Sequence, residues 1–178
     1  MKQINKYIWE RLHINKDTKI VYNYHPKDKN ELEELVYNLI KERGYNADLN
    51  DIDTSEITDM DELFYKSKFN GDISNWDVSN VKNMNSMFWG SSFNGDISNW
   101  DVSNVQYMCV MFYKSKFNGD ISNWDVSNVE DMYMMFADSK FTGENCNISN
   151  WNVSNVKDMV WMFEDTPLEK NPPKWYKK

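Results

Sequence analysis

The twelve residues Phe-Asn-Gly-Asp-Ile-Ser-Asn-Trp-Asp-Val-Ser-Asn occur three times unchanged, at 69–80, 93–104 and 117–128, each copy 24 residues after the last. A fixed period of that size restricts the chain to stacked repeats, in which each unit buries its apolar side against its neighbours. The period extends beyond the identical copies. Trp76, Trp100, Trp124 and Trp151 follow it, as do Met84, Met108, Met132 and Met159, with a three-residue insertion near Glu144-Asn145-Cys146 before the last unit. A degenerate first unit sets Leu49, Ile52, Ile57, Met60 and Phe64 beneath Ile73, Trp76, Val81, Met84 and Phe88. About five 24-residue repeats therefore run over 45–166.

Within one unit the apolar positions change period. Trp76 and Val78 are two apart, the spacing of a short strand with alternate side chains inward. Val81, Met84, Met87 and Phe88 follow at helical spacing, which predicts a short helical return. The Asn-Gly pairs at Asn70-Gly71, Asn94-Gly95 and Asn118-Gly119 predict the turn into the next unit, since both residues tolerate positive φ.

The pattern Ile-x-x-Trp-x-Val resembles the core of a leucine-rich repeat, and the whole unit, NGDISNWDVSNVxxMxxMFxxSxxF, is similar to the BspA-type leucine-rich-repeat proteins. The nearest subgroup carries the mycoplasma-type DISNWDVSNV repeat, whose function is unknown. One departure is that Val81, Val105, Val129 and Val156 stand where an Asn or Cys is usual. The resemblance implies an α/β fold, a right-handed leucine-rich-repeat solenoid of parallel strands and short helical returns, with a role in adhesion or protein binding.

Both ends read as caps. In 1–44, Asp28-Lys29-Asn30-Glu31 fits a capping box, and Leu32, Leu35, Val36, Leu39 and Ile40 recur at helical spacing until Gly44, which predicts an amphipathic helix over the first repeat. Ahead of it, Lys19-Ile20-Val21-Tyr22-Asn23-Tyr24 reads as a short strand, and Ile4, Tyr7, Ile8 and Leu12 as a helical face. In 167–178, Pro167, Pro172 and Pro173 exclude regular structure, while Trp175 and Tyr176 offer apolar surface for an irregular C-terminal cap.

Composition narrows the function classes. Net charge is −8, and only Arg11 and Arg43 among the 20 basic residues are arginine, so a nucleic-acid reader is not expected. No stretch has the length of a membrane span, and the start lacks an apolar signal core, so a cytoplasmic location is expected unless a leader was removed to place the protein at the cell surface. Cys109 and Cys146 occupy different repeat positions, which fits two free thiols better than a disulfide or metal device. His13 and His25 join no catalytic arrangement, no phosphate-binding loop or zinc spacing is present, and neither enzyme activity, cofactor nor metal is expected.

Two surfaces are candidates for binding another protein. The expected strand face carries constant polar columns, Asn75, Asn99 and Asn123 beside Asp77, Asp101 and Asp125. They serve either the turns of the coil, a repetitive or cationic ligand, or calcium. On the helical return one column reads Glu62, Ser86, Val110, Met134, Trp161 and its neighbour Asp61, Asn85, Cys109, Tyr133, Val160, polar giving way to apolar. With Trp89, Tyr107 and Tyr113 these form an aromatic and aliphatic convex patch of the composition favoured at interfaces, open to a partner or covered by Trp175 and Tyr176 of the tail. The reading is a non-enzymatic protein-interaction module that binds, inhibits or recruits a partner through this patch. The alternative is a surface adhesin or structural protein that meets a host or matrix ligand on the acidic face.

Overall fold

The computed structural model describes residues 21–144 and 146–177. The helical face of Ile4, Tyr7, Ile8 and Leu12, the strand positions Lys19 and Ile20, and His13 lie outside these residues.

The repeat builds its coils from turns. Asp72 accepts the amide of Ser74 and Asp77 that of Ser79, each a short polar side chain bonding the backbone two residues on. Trp76 N–H bonds Ile73 C=O and Val81 N–H bonds Val78 C=O, closing a turn on either side of Asp77. The chain therefore bends where a strand was expected. Further along, Met87 bonds back to Met84, Trp89 to Ser86 and Ser91 to Phe88, three overlapping turns with positive φ at Ser86 and Gly90. A left-handed residue at every fourth position prevents a helix, so no helical return forms.

These observations overturn the expected parallel-strand leucine-rich-repeat solenoid. Among the described residues there is one α-helix, two 3-10 turns at Ile148–Asn150 and Pro167–Glu169, and no sheet. Parallel pairing is confined to isolated bridges such as Asp59 with Asn83 and Asn83 with Tyr107.

The coils nevertheless stack in the 24-residue register, and the ladder runs through the turn segment. Met84, Ser86, Phe88 and Gly90 donate to Tyr107, Cys109, Met111 and Tyr113 of the next coil, at 2.7–2.9 Å. The same four-bond pattern recurs at each of the four junctions from Met60 to Glu164. Side chains repeat it inside: Phe64, Phe88, Phe112, Phe136 and Phe163 stack at 5.5–5.9 Å, and Phe69, Phe93, Phe117 and Phe141 at 6.2–6.4 Å. All nine rings are buried, and each contributes about 1.5–3 kcal/mol on leaving water.

The glycines of the Asn-Gly pairs serve packing. Gly71, Gly95 and Gly119 do not have positive φ; a Cβ there would stand 2.7–2.9 Å from the ring of Phe69, Phe93 or Phe117. The paired asparagines tie coil to coil, Asn70 accepting the amide of Asn94 and Asn94 that of Asn118.

At the N-terminal end α1, Lys29–Arg43, buries Leu32, Val36 and Leu39. Its N-cap Asp28 accepts the amide of Glu31, whose own carboxylate accepts the amide of Lys27. Arg43, in the last turn, forms a bidentate pair with Asp51. The described part of the expected first strand forms a single bridge, Tyr24 with Ile52.

At the other end Trp175 stands 24 residues after Trp151 and acts as the tryptophan of a next coil. Trp76, Trp100 and Trp124 each donate Nε1–H to a carbonyl 27 residues back, at Leu49, Ile73 and Ile97. Trp175 does the same to Ile148 at 2.8 Å and stacks on Trp151 at 6.1 Å. The three-residue insertion falls between Trp124 and Trp151, and the buried Trp151 Nε1 has no partner among the described residues.

Candidate functional site

The constant polar columns are occupied by the turns they make. Asp77, Asp101 and Asp125 accept the amides of Ser79, Ser103 and Ser127, and Asn152 does the same for Ser154. Asn80, Asn104, Asn128 and Asn155 reach back to a carbonyl of the preceding coil. The Ser127 hydroxyl and amide hold the Asp125 carboxyl below the usual carboxylate range. The side chains of Asn75, Asn99 and Asn123 project from exposed positions beside them. No group of three or more metal-ligating side chains occurs among the described residues.

The variable columns fall on the outward corner of the turn segment. Glu62, Ser86, Val110, Met134 and Trp161 are the residues at positive φ, from +49° to +61°, at the third position of the turn that begins at the core methionine. Asp61, Asn85, Cys109, Tyr133 and Val160 precede them. In four of the five coils the corner is held by an Asp or Asn two residues before that neighbour: Asp59, Asn83, Asp131 and Asp158 accept the amides of Asp61, Asn85, Tyr133 and Val160. Tyr107 cannot, and Asn85 of the adjacent coil accepts the amide of Cys109 in its place at 2.8 Å.

The corner leaves apolar side chains in water. Tyr107 is 40% exposed, Val160 42% and Trp161 51%, while Val110, Tyr133, Met134, Trp89 and Tyr113 are half-buried. Tyr133 and Trp161 lie with ring centroids 5.8 Å apart. Trp89 and Tyr113 form a separate stack, which Tyr65 extends at 4.3 Å and over which Lys66 lies 4.5 Å from the Trp89 centroid. Tyr65 and Lys66 belong to this face although sequence reasoning passed over them; the 24-residue offset of Tyr65 from Trp89 was the available signal. The tail covers the end of the stack: Trp175 and Tyr176 pack on Phe163, and Trp161 stays exposed. Between them lies a cavity of about 190 Å³ lined by Val160, Trp161, Phe163, Glu164, Glu169 and Tyr176.

Burial pushes the Cys109 and Cys146 thiols up to about 11, so both are protonated at neutral pH. Cys146 accepts the amide of Ile121 at the insertion. His25 bonds Asp53 at an exposed site beside α1, apart from the turn corner.

Stacked turns within and apolar side chains displayed at their corners define a repeat protein with a variable outer edge. Residues 30–144 and 91–177 match the model of DUF285, a mycoplasma protein family of unknown function, and the chain belongs to that family. The match is to the mycoplasma-type repeat and does not extend to the leucine-rich-repeat surface proteins. No curated protein and no solved structure matches the chain. No helix among the described residues is long and apolar enough to cross a membrane.

Proposed function

We propose that the chain is a non-enzymatic module that binds another protein through the outward turn corner, with Val110, Met134 and Trp161 as apolar anchors and Tyr107, Tyr133 and Val160 beside them. The observation that carries this reading is backbone strain. Val110, Met134 and Trp161 hold φ of +49°, +49° and +57°, where Gly or Asn is least costly and a β-branched residue is an outlier. Strain of this kind costs on the order of 1–3 kcal/mol per residue, is held in place by the surrounding turns and clusters at functional sites. Full burial does not offset it here, since Val110 and Met134 are half-buried and Trp161 is exposed.

The test replaces the anchors with the residue that the backbone prefers. V110N/M134N/W161N is expected to fold at least as stably as the parent and to lose the proteins that the parent retains from a cell lysate. D77N/D101N/D125N, which keeps the turns as Asn152 does, is expected to retain them. Loss of capture in the second variant with retention in the first overturns the proposal and moves the site to the acidic columns.

A further inference from the structure

The segment that follows the turn corner carries the opposite charge to the rest of the molecule. Positions 65–68, 89–92, 113–116 and 137–140 hold Lys66, Lys68, Lys114, Lys116 and Lys140 against Asp138 alone, in a chain of net charge −8. Bonds between coils align these segments. The amides of Lys66, Gly90 and Lys114 donate to the carbonyls of Trp89, Tyr113 and Ala137, and those of Ser92, Lys116 and Lys140 to Ser67, Ser91 and Ser115. All five lysines are exposed. Lys114 has the Asp138 carboxylate at 3.7 Å, and no carboxylate among the described residues pairs with the other four. Between the lysines the rings of Tyr65, Trp89 and Tyr113 lie face to face, 4.3 and 5.7 Å apart, with Lys66 Nζ 4.5 Å from the Trp89 centroid. Stacking covers the electron-rich faces and turns the ring edges outward, and the edges carry the positive end of the quadrupole. Ring edges and ammonium groups together make one electropositive strip along the stack.

We infer that this strip binds a linear anionic polysaccharide that carries its charge on alternate sugars. The lysines come as pairs, Lys66 with Lys68 and Lys114 with Lys116, two coils apart, with Gly90 and Ser92 at the same positions between them. At one ladder rung per coil, two coils span about 10 Å. That is the length of two sugars in an extended chain, so successive anions meet successive lysine pairs. The uncharged sugar between them crosses the edge of Trp89, where Gly90 adds no side chain. Other anions fit less well. An extended acidic peptide finds no backbone to pair with, because the amides that align the strip are already bonded to the adjacent coil. The bases of a single-stranded nucleic acid stack on free ring faces, and both faces of Trp89 are taken. An anionic membrane presents its charge as a plane. In chain order the strip is bounded by Glu62 before it and by Asp72, Asp96 and Asp120 after it, carboxylates that a plane would meet and a single polymer strand avoids. This binding is independent of the turn-corner reading.

The test titrates the full chain by calorimetry with a hyaluronan oligosaccharide, whose carboxylates lie on alternate sugars, and with its neutral methyl ester. The acid form is expected to bind, more weakly as salt rises, and the ester at least about tenfold more weakly than the acid. The Trp89 indole and the amides of Lys66, Lys114 and Lys116 are expected to show the largest NMR shift changes. K66N/K114N/K116S is expected to bind at least about tenfold more weakly than the parent. Asn accepts the positive φ of Lys66 and Lys114, and Ser92 already stands at the place of Lys116 in the second coil. D138K is expected to bind roughly threefold tighter, a gain that only a folded chain can show, and Lys66 and Lys114 already hold a lysine at this φ. V110N/M134N/W161N should bind the oligosaccharide as the parent does, which separates failure of the strip from failure of the turn corner. Equal binding of acid and ester, or binding of neither, overturns the inference. So does tighter binding of polyglutamate, oligothymidylate or phosphatidylserine vesicles at equal anion concentration, which assigns the strip to an acidic segment, a nucleic acid or a membrane.

Discussion

Among the described residues, Val110 is the β-branched residue held at positive φ, the sharpest tension between side chain and backbone. Its two neighbours in the column below, Glu62 and Ser86, are polar and its two above, Met134 and Trp161, are large and apolar, yet all five share one left-handed corner. The backbone is therefore indifferent to polarity there, and the drift along the column belongs to what the corner displays. Val110→Asn is expected to raise the stability of the fold by roughly 1 kcal/mol in urea unfolding, because Asn adopts this φ with little cost. A destabilised variant would mean that Val110 is held by packing and would remove the argument from strain. None of this was legible in the sequence. Positive φ is announced by Gly or Asn, and here it is imposed on Val, Met and Trp by turns closed on either side.

At the level of the turn, the physics of the repeat lies in short side chains that accept amides two residues on. The Ser74 and Ser98 amides hold the carboxyls of Asp72 and Asp96 below the usual range, and the Ser122 hydroxyl does so for Asp120. A carboxyl whose folded value is depressed contributes stability above its unfolded value, near about 3.9, and loses it as pH falls through the folded one. Stability from these turns is expected to be level from about pH 7 to 5 and to decline below about pH 4. D72N/D96N/D120N should flatten that decline in acid titrations followed by circular dichroism, since Asn147 already makes the same turn uncharged. An unaltered acid limb would show that other carboxylates dominate.

The turns also explain which elements the sequence disclosed. Leu32, Val36 and Leu39 predict α1 because a capped amphipathic helix has a periodicity of its own. Val81, Met84, Met87 and Phe88 have a helical spacing too, but overlapping turns return side chains to one side every three or four residues and give the same pattern. Trp76 and Val78 point inward together as strand residues would, while Asp77 between them turns the chain through its own side chain. Periodicity reported which side chains face the core and left open the backbone that brings them there. The column of varying residues was legible in the sequence, its corner geometry was not, and Trp175 lay one period beyond Trp151 without being counted as part of the repeat.

For the whole molecule, a stack whose junctions are alike should tolerate removal of one unit but not half of one. Excision of residues 93–116 joins Ser92 to Phe117 and preserves every column, so the shortened chain is expected to fold cooperatively with a lower melting temperature. Excision of 93–104 breaks the register and should yield an unfolded or aggregated product, as judged by calorimetry and size exclusion. Equal behaviour of the two deletions would mean that the coils do not act as separate units.

The bond from the Cys109 amide to the Asn85 side chain gives this uniformity a direction. Coils that share their twelve-residue motif can pair with the wrong neighbour during folding and still form nearly every backbone bond, so a slip by a whole coil costs little. At Tyr107 the coil lacks its own acceptor, and the preceding coil supplies one from Asn85. One asparagine thus completes a junction that the later coils, with Cys109, Tyr133 and Val160 at its place, have no such oxygen to complete.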